Sequence, residues 1–67
     1  MSLVEKVAAR IKTLRARRRM TQEQLAAKAG IHRVYLARIE TARQEPTLTM
    51  LERLAKALRV KPAAFFE

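Results

Sequence analysis

The chain has no cysteine and no aspartate, and only one glycine, one serine and one histidine. Without cysteine there is no disulfide framework, no thiolate ligand and no thiol nucleophile, a usage that suits a reducing cytoplasm. A single histidine with no cysteine cannot assemble a usual zinc site. Lacking aspartate, and with Ser2 as its sole serine, the chain cannot build a Ser-His-Asp constellation. One glycine is too few for a phosphate-cradling loop. No two of the six glutamates obviously converge as an acid–base pair. The expectation is a protein that is not an enzyme and takes no metal, cofactor or small-molecule ligand. Long apolar runs are missing too, so no segment reads as a membrane span or a signal peptide.

Acidic charge is scarce. Fifteen Lys and Arg stand against the six Glu, for a net charge of +9 on 67 residues. Such a field attracts polyanions, nucleic acid first and anionic membranes or acidic proteins second. Ten of the basic residues lie between Arg10 and Arg43, where the only acids are Glu23 and Glu40. Any one lysine there is adequately explained as a solvated surface charge. The arginine-heavy block as a whole reads as a phosphate-facing surface.

The length allows one small domain, residues 1–67, with no room for a ligand-sensing or self-cleaving unit. Strand-like alternation is absent and helical periodicity runs throughout. Val4, Val7, Ala8, Ile11 and Leu14 mark an amphipathic first helix ending near Arg18. TQEQ at 21–24 is a capping box that opens a second, short helix running to Ala29, which Gly30 stops. A third helix is expected from about His32 to Thr41. Pro46 and Thr47 announce a fourth, with Leu48, Leu51, Leu54, Ala55 and Leu58 as its buried stripe. Pro62 suits the first turn of a fifth, KPAAFF. The expected fold is all-α, compact and five-helical.

In LAAKAGIHRVYLARIE, residues 25–40, Leu25, Ala26, Ala29, Leu36 and Ile39 would face a shared core, with Ile31 between the helices. Two helices joined by so short a glycine turn form a helix-turn-helix, here over about 21–41. On the second of them Arg33, Val34, Ala37, Arg38 and Thr41 share an arc of about 140°, opposite Leu36 and Ile39. Two long guanidiniums then frame small side chains. Arg pairs bidentately with guanine O6 and N7, and Val34 and Ala37 suit a thymine methyl, so these four are the candidate base-reading residues.

The stretches ARIKTLRARRRMTQEQLAAKAGI, YLARIE and EPTLTMLERLAKALRV, with the closing FF, resemble the phage-repressor-type (Cro/C1, XRE-like) helix-turn-helix family over nearly the whole chain. The likeness is to its minimal members, such as restriction–modification controller proteins, small phage repressors and some antitoxins. It implies a compact lambda-repressor-like domain that binds double-stranded operator DNA, with half-sites about 10–10.5 base pairs apart for a homodimer. By the same resemblance Gln22, Tyr35, Arg43 and Gln44 contact phosphate, and Arg15 pairs with Glu40 between helices one and three. The run Arg17, Arg18 and Arg19 lies near the phosphate-binding end of helix two and joins that set. His32 stands where a small hydroxyl cap is usual; it is either a phosphate contact or a surface residue of no special role. Relatives often dimerise through their carboxy-terminal helices, where Leu58, Val60, Phe65 and Phe66 supply apolar surface, though Phe65 equally suits its own core.

Arg19, Ala42 and Arg59 depart from the family pattern, which often has glycine there. A left-handed backbone would cost each roughly 1–2 kcal/mol. Two other functions compete with DNA binding. An adaptor or antitoxin using this fold for protein contacts would favour an acidic or apolar recognition face, against the arginines present. A membrane-active cationic peptide is opposed by a leucine pattern that fits a packed globular register on every helix. The expectation is a cytoplasmic, sequence-specific regulator of transcription.

Overall fold

The computed structural model describes residues 1–67. Its elements are α1 (Leu3–Arg17), α2 (Gln22–Ala29), α3 (Arg33–Glu40), α4 (Leu48–Leu58) and a closing 3₁₀-helix (Pro62–Phe66). There is no strand. The all-α expectation holds, but the α-helices number four. KPAAFF, expected as the fifth, winds more tightly. It begins at Pro62, the Ala64 amide donates to the Lys61 carbonyl at 2.9 Å, and Phe65 drops into the core with no exposed surface. So short a segment makes few i→i+4 bonds, and side-chain burial decides its winding.

Helix starts follow the capping chemistry in the sequence. Thr21 Oγ1 accepts from the Gln24 amide at 3.0 Å, and Gln24 Oε1 accepts from the Thr21 amide at 2.9 Å. Ser2 and Glu5 form the same reciprocal box at α1, and Thr47 caps α4 through the Met50 amide at 3.0 Å. Each arrangement satisfies amides that a helix start leaves without partners.

All four α-helices end in one way. The amides of Met20, Ile31, Arg43 and Val60 reach back five residues to the carbonyls of Arg15, Ala26, Arg38 and Ala55, at 3.2, 2.9, 2.9 and 3.0 Å. The residue before each is left-handed: Arg19 at φ 55°, Gly30 at 70°, Ala42 at 58° and Arg59 at 58°. This is the Schellman closure. Only one of the four positions carries the residue that adopts it without strain. A Cβ built on Gly30 would meet nothing within 4 Å, so glycine there serves torsion alone.

One cluster of 13 buried side chains unites the elements, with Ile11, Leu25, Leu36, Ile39, Leu54, Leu58 and Phe65 fully enclosed. The helix stripes read from periodicity supply most of it. Leu48 is the exception at 79% exposed. It is the first residue of α4, at the edge of the stripe's arc, and the helix end overhangs the core. α2 packs against both α3 and α4, which make little contact with each other. It therefore stands between them.

Candidate nucleic-acid interface

The placement of α3 starts with a buried ion pair. Arg15 Nε donates to Glu40 Oε2 at 2.7 Å and Nη2 donates to Oε1 at 3.0 Å. Its Nη1 donates to the Met20 carbonyl at 2.8 Å. Gln22 Nε2 supplies a third bond to the carboxylate, at 2.9 Å to Oε1. The Glu40 side chain is 1% exposed. A carboxylate is tolerated there because bidentate guanidinium and amide donors replace its water. The network ties α1, the start of α2 and the end of α3 together.

Held in this way, α3 turns Leu36 and Ile39 wholly into the core and leaves Arg33, Arg38 and Thr41 exposed, with Val34 44% exposed and Ala37 half-buried. The arc of Arg33, Val34, Ala37 and Arg38 is thus brought together on the outer side of a helix of eight residues. That length is about 12 Å, comparable with the width of a major groove. At the amino end, His32 Nδ1 accepts from the Val34 amide at 3.1 Å. The imidazole is the N-cap, a role its ring nitrogen fills in place of a hydroxyl. This bond requires Nδ1 without a proton, and so leaves Nε2–H as an outward donor in the neutral ring. At the carboxyl end, Thr41 Oγ1 donates to the Ala37 carbonyl at 3.0 Å.

The remaining sequence candidates divide. Arg43 is exposed in the loop after α3, Gln44 is half-buried beside it, and Tyr35 is half-buried against the core cluster. Arg17 is exposed at the end of α1. Arg18 Nη2 donates to the Arg59 carbonyl at 3.4 Å, at the end of α4. Arg19 lies with Gln24 and Lys28 on the outer face of α2. The last two are therefore gathered on α2 and α4, not beside α3. Gln22 spends one amide hydrogen on Glu40, keeping its other hydrogen and its oxygen.

The carboxy-terminal set needs correction. Leu58 and Phe65 are 0% exposed and belong to the protein's own core, so neither can touch another molecule. Val60 is half-buried and packs on that core. Of the four, Phe66 alone presents substantial apolar surface, at 42% exposure. The exposed apolar side chains that periodicity missed are Leu3 and Leu48, which join Phe66, Val4 and Pro46 around a shallow cavity of about 320 Å³. Nothing in their spacing marked them, because both lie at helix ends beyond the reach of the core.

The helix-turn-helix family pattern matches residues 11–65, from the second half of α1 to Phe65. The chain belongs to the helix-turn-helix family. This helix-turn-helix protein is 48% identical over 58 residues to the immunity repressor protein of Bacillus phage phi105, a match covering 87% of the chain and 40% of that repressor. The chain thus spans about two fifths of that relative's length. Its fold superposes on the restriction–modification controller protein C.AhdI from Aeromonas hydrophila with TM-score 0.92 at 30% identity, covering 94% of this chain and 96% of that one. It also superposes on the controller protein C.Esp1396I, solved as a tetramer in complex with its natural 35 base-pair operator, with TM-score 0.90 at 38% identity. That match covers 98% of this chain and 87% of that one.

Proposed function

We propose that this protein is a sequence-specific regulator of transcription that lays α3 in the major groove of double-stranded DNA. The observation that carries this reading is the exposed arc of α3, where Arg33 and Arg38 flank Val34 and Ala37 with no acidic side chain among them. Arg33 and Arg38 donate to guanine edges, while Val34 and Ala37 pack on thymine methyls. Gln22, Arg17, His32 through Nε2–H, Tyr35, Arg43 and Gln44 hold the flanking phosphates, whereas Arg18 and Arg19 lie on the side of α2 and α4 away from α3. It acts by binding and not by catalysis, in the cytoplasm, and residues 1–67 work as one domain. No helix is long and apolar enough to cross a membrane.

The operator is partly palindromic and the protein binds it as a homodimer. The operator-bound tetramer of C.Esp1396I supports an oligomeric regulator. With Leu58 and Phe65 spent on the core, Leu3, Leu48 and Phe66 supply the apolar surface for the pairing.

Selection of bound duplexes from a random library at near-physiological salt tests the reading. A two-fold-symmetric motif with guanines at matched positions is expected. Retention of DNA without an enriched motif would leave only the +9 field acting on phosphate and overturn it.

A further inference from the structure

Away from α3 the carboxyl ends of α2 and α4 enclose a second feature, an open concavity of about 640 Å³. Its rim carries four exposed cations, Lys28, Arg53, Lys56 and Arg59, and its floor is made of small residues such as Ala27, Gly30 and Ala57. Arg18 reaches the same edge through its bond to the Arg59 carbonyl. The Arg15–Glu40 bridge is the one ion pair in the structure, so none of these cations is neutralised by a carboxylate. Glu23 and Glu52, on the same two helices, do not line the concavity.

Part of this charge has an ordinary explanation. Lys28 and Lys56 sit in the last turns of α2 and α4, where cations complement the helix dipole. Arg59, the C-cap of α4, shares that dipole but also carries a backbone cost. Its backbone is left-handed at φ 58°, a conformation that glycine adopts freely, and Arg19 nearby on the outer face of α2 is the same at φ 55°. Two of the three non-glycine residues in this conformation are arginines on this one side. Each keeps a charged side chain where its absence would relax the backbone.

We propose that this concavity is a docking surface for an acidic segment of a partner protein. α2 stands between α3 and α4, and α3 contributes nothing to the lining, so a duplex on α3 leaves the surface open. An open depression lined by alanine and glycine between the cations admits a peptide backbone closely, with carboxylates meeting the lysines and arginines around it. A DNA duplex, convex and far wider than a single peptide strand, would meet the cations and leave the small residues between them uncovered. The same protein can then hold DNA with one flank of α2 and an acidic partner with the other.

The test titrates two fluorescent probes separately, an oligoglutamate peptide and a short DNA duplex carrying the site enriched by the library selection. Each is titrated against the wild type, a Lys28→Ala/Arg53→Ala/Arg59→Gly variant and an Arg33→Ala/Arg38→Ala variant. The peptide is expected to lose about tenfold or more in affinity with the first variant and little with the second, and the duplex the reverse. Arg59→Gly alone should raise the melting temperature while weakening the peptide, a pairing that a merely structural role for the arginine would not produce. The proposal is overturned by a peptide that does not bind the wild type, that binds all three proteins alike, or that follows Arg33 and Arg38. A duplex that falls with the first variant as far as the peptide does would make the surface a DNA contact, and overturn it as well.

Discussion

Arg15 and Glu40, 25 positions apart in the chain, meet in two parallel hydrogen bonds of 2.7 and 3.0 Å. Through this pair the orientation of α3 depends on a residue of α1. The Glu40 carboxylate is sealed from solvent, so without Arg15 it is a buried charge that has lost its counter-ion. Arg15→Ala should cost about 3–5 kcal/mol in chemical denaturation. Replacing both with apolar residues of similar volume, Arg15→Met with Glu40→Leu, should recover most of the loss. A single substitution that costs no more than an ordinary surface change would show that the pair contributes little to stability.

Base reading and phosphate holding separate by their dependence on sequence. Arg38→Ala should cost about 1–3 kcal/mol on the selected site and relax its preference at one guanine. Arg43→Ala should weaken selected and scrambled duplexes alike and lower the salt slope of binding by about 1. A uniform loss from Arg38→Ala would mark it as a phosphate contact.

The cap on α3 allows a clean division for His32. His32→Ala removes the acceptor of the Val34 amide and should cost about 0.5–2 kcal/mol of stability. His32→Ser restores a cap and should recover that loss. If DNA affinity stays low in the serine variant, His32 also touches phosphate; full recovery of affinity assigns it to capping alone.

Left-handed closures predict substitutions of opposite sign. Ala42→Gly relieves a φ of 58° and should stabilise the protein by about 1 kcal/mol. Gly30→Ala meets no steric neighbour and should destabilise it by a similar amount, about 1 kcal/mol, for torsion alone. Thermal melts of the two variants, read against the wild type, decide this directly.

Leu48 and Phe65 should respond differently because one is outside and the other inside. Leu48→Glu should leave the helical circular dichroism and melting of the monomer intact while shifting sedimentation toward the monomer. Phe65→Ala should cost about 3–5 kcal/mol of folding stability. A dimer that survives Leu48→Glu unchanged would move the interface elsewhere.

The four α-helices and their approximate starts are set by local chemistry. The Thr21–Gln24 box, the stop at Gly30 and the 3.6-residue spacing of Leu25, Leu36, Ile39, Leu51, Leu54 and Leu58 are local features, settled within a turn or two of chain. The face of α3 that carries Arg33, Val34, Ala37 and Arg38 was legible for the same reason, since residues sharing one helix keep fixed angular relations whatever surrounds them. Distance from the core and partners remote in the chain settle the rest. Periodicity assigns Leu48 a direction but not the core's extent, and at the start of α4 that leucine is left 79% exposed. Leu58 and Phe65 look the same in sequence whether they meet another molecule or the inside of their own, and here the inside encloses both. Gln22 is drawn to Glu40 and Arg18 to the Arg59 carbonyl by neighbours 18 and 41 positions away. The cations of α2 and α4 form one surface because packing brings two helix ends together, a juxtaposition that no local spacing encodes.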